Sequence, residues 1–310
     1  MPNQDSENYL IISSNKEKPI ALTISEKTGI PVGDVHIHQV HGTETSVDID
    51  CFVNNKTIFL IYNITQPINE SIMQILFLAD AIRKEGANKI YWITTYLPYT
   101  KIKYETEYKL NFNLFTRLLD TVNIDRIYTF GLYAPKISFY LRIPLYNIPL
   151  NTIFANVLEN NFSNNKNIIV TSLDYELQIQ ANYIAKTINA QTVFPIIKKT
   201  NNKLNFEINE NISGKDILVV GDTINTGKNI IEYAKYLTYK GANNVFVLAP
   251  QGITNEKVIT DLEKSLIKEI YVISNPYRKC EKIKVVPVTK ILIEIIKRTI
   301  DNKTINNILK

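Results

Sequence analysis

The chain has 310 residues, 45% of them hydrophobic and 21% charged, with a formal net charge of +5. That length and apolar content allow a substantial core and two domains. No apolar stretch reaches the roughly 20 residues that span a bilayer, and the opening MPNQDSENYL lacks the basic and apolar regions of a secretory signal. A cytoplasmic protein with no membrane partner is expected. The positive charge is spread along the chain instead of massed in blocks, so no nucleic-acid partner is expected either, and a phosphate-bearing small molecule would suffice to explain a basic site. Cys51 and Cys280 are too few and too far apart for a disulfide framework.

In chain order, the first cluster with chemistry in it is HIHQVH, containing His36, His38 and His41. Strand alternation would put His36 and His38 on one face. The nearby acids Asp34 and Glu44 do not complete a convincing metal site, so these are read as polar residues on an exposed strand and turn. Short apolar runs follow at 57–63, 88–95, 125–132, 167–172, 216–220 and 244–250, alternating with helical patterns. This is the pattern of parallel sheets covered by crossover helices. Between 69 and 86, Asn69 is placed to cap a helix whose apolar positions Ile72, Ile75, Leu76, Ala79 and Ile82 recur at three and four, with Gly86 closing it. A second helix over 230–240 carries Ile230, Ile231, Ala234 and Leu237 on one face and stops at Gly241.

These two units agree in letters as well as in pattern. KEGANKIYW begins at Lys84 and YKGANNVFV at Tyr239, half the chain length apart. In each, a glycine ends a helix and feeds a strand at the same point, which indicates a duplicated α/β domain. The boundary is expected in YNIPLNTIF, where Pro149 interrupts the pattern, giving domains 1–148 and 149–310.

The loop in ILVVGDTINTGKNI, residues 217–230, carries the strongest functional signal. A strand ending at Val220, a turn and a helix starting near Gly227 would aim free N–H groups at the carboxyl edge of a sheet, where anions bind. Thr226 adds a hydroxyl donor, Gly227 is expected to let the backbone approach a phosphate closely, and Asp222 suits ribose hydroxyls or a divalent cation.

This stretch resembles the phosphoribosyl diphosphate loop of type I phosphoribosyltransferase folds, an apolar strand followed by D-D-x-x-D-T-G-G-T. Residues 59–99, 124–135 and 168–176 resemble successive signatures of the ribose-phosphate pyrophosphokinase family, in order and spacing, over nearly the whole chain. The resemblance implies an α/β protein of two tandem phosphoribosyltransferase-like domains, each a mostly parallel sheet flanked by helices. It also implies transfer of the β,γ-diphosphoryl group of ATP to ribose 5-phosphate, with Mg2+ as cofactor, in a homo-oligomer, a dimer or hexamer. Catalysis of this kind is mostly positioning and charge stabilisation.

The resemblance assigns ribose-phosphate binding to Asp222, Thr223, Asn225, Thr226, Gly227, Lys228 and Asn229, with Asp174 as an acid near the ribose and a weak metal ligand. Within the loop, Gly221 and Asn225 replace two acids of the family pattern, and Lys228 and Asn229 replace a glycine and a threonine. Nucleotide binding falls to Glu44, Tyr99 and Lys101, and the catalytic-loop cations to Lys198 and Lys199. The family's D-L-H-A magnesium motif reads Gly131, Leu132, Tyr133 and Ala134 here, so the acid and the imidazole are replaced, and a tyrosine is a poor magnesium ligand at neutral pH. Lys101 supplies charge without a guanidinium's planar fork. Three functions are compatible with these residues: a divergent synthetase, a non-catalytic homologue that binds ribose phosphate or nucleotide or regulates a true synthetase, and a phosphoribosyltransferase acting on another acceptor.

Overall fold

The computed structural model describes residues 8–42, 44–100, 107–132, 141–163, 165–200, 203–224, 226–252, 256–273 and 279–309. The chain divides into two compact units, 1–148 with 288–310, and 149–287. The expected second domain, 149–310, is therefore corrected at its C-terminal end, because the last helix packs on the first unit.

In the first unit the chain runs through β1 (Tyr9–Ser13), α1 (Lys18–Thr28), β2 (Val32–Gly33), β3 (Val35–Val40), β4 (Glu44–Ile49), β5 (Thr57–Ile61), α2 (Ile68–Lys84), β6 (Lys89–Ile93), α3 (Glu107–Thr121), β7 (Arg126–Phe130) and β8 (Leu145–Ile148). The main sheet has the order β2-β1-β5-β6-β7-β8, and every pair in it is parallel. Its strands are near-continuous apolar runs because both faces are covered: in β5 the last four residues are buried. Trp92 of β6, fully buried, donates its indole N–H to the Tyr62 carbonyl at 2.9 Å. β3 and β4 form a separate antiparallel hairpin.

The helix expected to be capped by Asn69 instead begins at Ile68 with Pro67 extended at its N-cap, so Asn69 falls within it and its Oδ1 accepts a hydrogen bond from the Tyr99 hydroxyl. The proline sets the start, since its missing N–H belongs to the four that a helix leaves unpaired in any case.

The second unit runs α4 (Leu150–Ile153), α5 (Ala155–Asn161), β9 (Ile168–Ser172), a 3-10 turn (Tyr175–Leu177), α6 (Gln178–Thr187), β10 (Gln191–Thr192), β11 (Ile196–Thr200), β12 (Lys203–Glu207), β13 (Asp216–Val220), β14 (Thr223–Ile224), α7 (Lys228–Tyr239), β15 (Asn244–Leu248), β16 (Gln251–Gly252), α8 (Glu256–Glu263), β17 (Ile267–Val272) and β18 (Ile283–Val285). Its parallel sheet has the order β10-β9-β13-β15-β17-β18, and β11 and β12 form an antiparallel hairpin. Counted within each unit, both sheets read 2-1-3-4-5-6, with the hairpin inserted after the second strand.

The duplication extends to individual hydrogen bonds. Gly86 and Gly241 stand at φ 90° and 91°, a region where side chains are disfavoured. The Gly86 carbonyl accepts from Asn55 N and the Gly241 carbonyl from Gly214 N, both at 2.8 Å. A Cβ at Gly86 would meet Asn54 Oδ1 at 2.5 Å and one at Gly241 would meet Ser213 Oγ at 2.9 Å. After the second unit, α9 (Thr289–Ile300) returns to the first and lies against α1, and Thr299 Oγ1 is 3.1 Å from the Tyr128 hydroxyl. Among the described residues no helix is long and apolar enough to cross a membrane.

Candidate functional site

β9 and β13 lie side by side, Ser172 opposite Val220. The connection from β9 leads outward to the edge strand β10, while β13 begins the run in the other direction. Loops leaving the carboxyl ends of two such strands diverge and open a crevice, the place where ligands bind in sheets of this type. The loop after β9 presents Asp174, whose N–H donates to Ser172 Oγ at 3.2 Å, just before the 3-10 turn. The loop after β13 presents Asp222, which accepts from Thr223 Oγ1 at 3.1 Å. Thr223 and Ile224 pair with Gln251 and Gly252, extending the loop as a short ladder.

α7 starts at Lys228 with Gly227 as its N-cap, and no side chain caps it. The opening N–H groups of a helix lack intrahelical acceptors and carry the positive end of its dipole. Here they face the same edge as Asp174 and Asp222. Thr226, Lys228 and Asn229 are exposed around this turn, and Asn225 lies outside the described residues. α7 is held by its buried face, Ile230, Tyr233, Ala234 and Leu237. The Tyr233 hydroxyl is 2.8 Å from Thr171 Oγ1 of β9, tying the helix to the strand that carries Asp174. Burial pushes that phenol well above its ordinary pKa, so it stays protonated. Tyr233 and Thr171 were not singled out in the sequence; a tyrosine on the apolar stripe of the helix was the available signal.

The reason for Gly227 differs from the expected one. A Cβ there would touch Ile231, Val258 and Leu262 at 3.5 to 3.7 Å, ordinary contact distances on the core side, so the glycine does not clear a path for a ligand. Its φ of 69° is what requires it.

The remaining candidates lie on other elements. Lys198 is on β11 opposite Asn205, exposed, with its ammonium 3.4 Å from Glu207 Oε2. Lys199 follows on the same strand, opposite Leu204. In the first unit, Glu44 opens β4 opposite Val40. Tyr99 has φ 62° and packs its ring 6.0 Å from Phe115 while bonding Asn69. Lys101 and Tyr133 lie outside the described residues. Gly131 ends β7 at φ 61°, its N–H donating to the Ile148 carbonyl at 2.7 Å.

His36 and His38 lie two apart on the exposed strand β3, and the acids that pair with them come from across the hairpin. His36 Nε2 lies 3.2 Å from Asp50 Oδ2, and His38 Nδ1 lies 3.5 Å from Asp48 Oδ2. Asp34 instead pairs with Lys18. The period-two alternation in SVDID was the overlooked cue. Among the described residues no group of three or more His, Cys, Asp or Glu could hold a metal ion.

Two parallel sheets of one strand order, each with a hairpin after its second strand and a crevice between its first and third, define a tandem phosphoribosyltransferase-like protein. The chain belongs to the ribose-phosphate pyrophosphokinase family: residues 9–121 match the N-terminal domain of ribose phosphate pyrophosphokinase, and residues 172–310 match the phosphoribosyl synthetase-associated domain. It is 28% identical to a ribose-phosphate pyrophosphokinase of Clostridium acetobutylicum over 98% of both chains. It is likewise 28% identical to one of Campylobacter jejuni, over 97% of this chain and 98% of the relative. The crystal structure of phosphoribosylpyrophosphate synthetase from Mycobacterium smegmatis shares the fold with a TM-score of 0.84 at 20% identity, covering 95% of this chain and 99% of that one.

Proposed function

We propose that the protein is a divergent ribose-phosphate pyrophosphokinase that binds ribose 5-phosphate in the crevice between β9 and β13 and transfers to it the diphosphoryl group of ATP. The observation that supports this reading is the convergence of Asp174, Asp222 and the opening turn of α7 on one sheet edge, in a chain matching the family along nearly its whole length. The 5-phosphate is held by the N–H groups after Gly227 and by Thr226, with Lys228 and Asn229 beside it. Asp174, Asp222 and Thr223 orient the ribose hydroxyls. The anomeric oxygen attacks the β-phosphorus of ATP, the bond from that phosphorus to the oxygen shared with the α-phosphate breaks, AMP leaves with that oxygen, and the anomeric proton passes to solvent. Lys198 and Lys199, on the hairpin, supply positive charge to the transferring group, and Glu44, Tyr99 and Lys101 serve the nucleotide.

Mg2+ commonly binds through one or two carboxylates together with substrate phosphates. Asp174 and Asp222, presented by neighbouring loops at one sheet edge, would hold it in that way. Bound there, it would neutralise phosphate charge. We place the protein in the cytoplasm as a homo-oligomer.

A second reading, a non-catalytic homologue that binds ribose phosphate or regulates a true synthetase, is favoured by Gly131. It stands where the family motif has an acid, so this position offers no carboxylate to a cation. Losing one positioned group typically costs about 10²- to 10⁴-fold in rate, and such losses do not simply add. Purified full-length protein given ATP, Mg2+ and ribose 5-phosphate separates the two. AMP release above that of a Gly227→Asp variant is expected. Retained ribose 5-phosphate binding without AMP release selects the second reading, and neither result overturns both.

A further inference from the structure

The first unit has its own crevice at the topologically equivalent place, where the loops after β1 and β5 part. It holds a cavity of about 180 Å³ lined by Ser14, Asn15, Lys16, Tyr62, Asn63, Thr65 and Gln74, with Val35 and Ile37 of the β3–β4 hairpin as one wall. At about 30 Å³ per water this is room for roughly six waters, the size class of a pentose ring.

The lining is built and cross-braced. Asn63 Oδ1 accepts from Thr95 N at 2.7 Å and from Thr95 Oγ1 at 2.9 Å, while Asn63 Nδ2 donates to Glu17 Oε1 at 3.1 Å. Ser14 Oγ donates to the other Glu17 oxygen. The Tyr62 hydroxyl donates to Gln74 Oε1 at 2.6 Å. Lys16 Nζ stands 3.4 Å from Thr65 Oγ1. These partners fix the side chains before any ligand arrives, the arrangement that keeps the ordering cost of binding small.

The charges around the cavity select the ligand. Lys16 is the ammonium on its wall, but Glu17 stands directly behind Ser14 and Asn63, and Glu70 accepts from Gln74 Nε2 at 3.4 Å behind the opposite wall. Among the described residues these two carboxylates offset the attraction that Lys16 and the nearby helix starts would exert on an anion. Hydroxyls and carboxamides matched to an aliphatic wall of Val35 and Ile37 suit a neutral polyhydroxylated ring.

We propose that this cavity binds an uncharged pentose-sized polyol, the ribosyl ring of a sugar or nucleoside, as a site separate from the ribose-phosphate crevice of the second unit. Trp92 is the single tryptophan of the chain, and its indole donates to the carbonyl of Tyr62, a lining residue, so its fluorescence reports on the cavity. Titration of the full-length protein with D-ribose and with adenosine should give a saturable change, with a dissociation constant on the order of a millimolar for so small a ligand. Inorganic phosphate at matched ionic strength should give none. Ile37→Tyr, which fills the cavity from an exposed hairpin, should weaken the response at least tenfold. Thr65→Val, which keeps the volume and removes a hydroxyl, should weaken it less, and Gly227→Asp should leave it intact. A response to phosphate alone, a response that survives Ile37→Tyr, loss with Gly227→Asp, or no saturable response in folded protein would each overturn the proposal. None of these readouts depends on diphosphoryl transfer.

Discussion

Glu17 is 6% exposed, an unusual position for a carboxylate, and it accepts hydrogen bonds from Ser14 and Asn63. Burial raises its pKa above the ordinary glutamate value, outweighing those bonds and Lys16. A folded-state pKa above the unfolded one means that the folded chain holds the proton more tightly. The contribution to stability is complete below the unfolded value of 4.5 and is lost as pH rises through the folded value. Glu17→Gln stays uncharged, can accept from Asn63 and can donate to the Ser14 hydroxyl. It should leave stability at pH 4 nearly unchanged and remove the loss between there and neutrality, so that at pH 7 the variant is the more stable protein. Denaturant titrations at the two pH values check this; equal pH slopes for variant and parent would refute it. None of this is legible in the sequence, because Asn63, which donates to the carboxylate, is distant in the chain. The loop at 221–229 was legible for the opposite reason, since its strand, turn and helix start are contiguous. Even there the role of Gly227 was misread, because a positive φ and a close approach to ligand both ask for glycine and only coordinates tell them apart.

At the scale of elements, the strands with unbroken apolar runs and the helices closed by Gly86 and Gly241 were readable because local pattern and packing agree. β5, β6, β7, β9, β13 and β15 all fall within their expected ranges. The assignment of α9 was not readable. Its sequence TKILIEIIKRTI has a clear apolar stripe, with Leu292, Ile295 and Ile296 buried, but a stripe says that a helix must cover something without saying what. The symmetry of the duplication argued for the nearer unit, and the structure puts it on the other, against α1. Ile295 is 0% exposed, so Ile295→Ala should cost about 2 to 5 kcal/mol, and the cost should fall on the first unit. Hydrogen exchange at Ile11 and Ala21 should accelerate while Val219 and Val247 keep their protection. Acceleration confined to the second group would contradict the assignment of α9.

At the scale of the molecule, each unit has its own apolar cluster. One is centred on Leu60, Ile75, Trp92 and Phe115, the other on Val219, Tyr233, Val247 and Ile270. The second unit, 149–287, is a single continuous segment, whereas the first needs both ends of the chain. A segment of this length buries a large fraction of its unfolded surface and is of ordinary domain size. The fragment 149–287 should therefore fold by itself with cooperative denaturation, and it carries Asp174, Asp222 and the start of α7, so it should retain ribose 5-phosphate binding while releasing no AMP from ATP. The fragment 1–148, lacking α9, exposes the face of α1 that α9 covers and should fold only when a peptide of residues 288–310 is added. Circular dichroism melts of the two fragments, with and without that peptide, make the comparison directly. An unfolded 149–287 fragment would show that its stability depends on the first unit, and a 1–148 fragment indifferent to the peptide would show that α9 is not needed to fold the first unit.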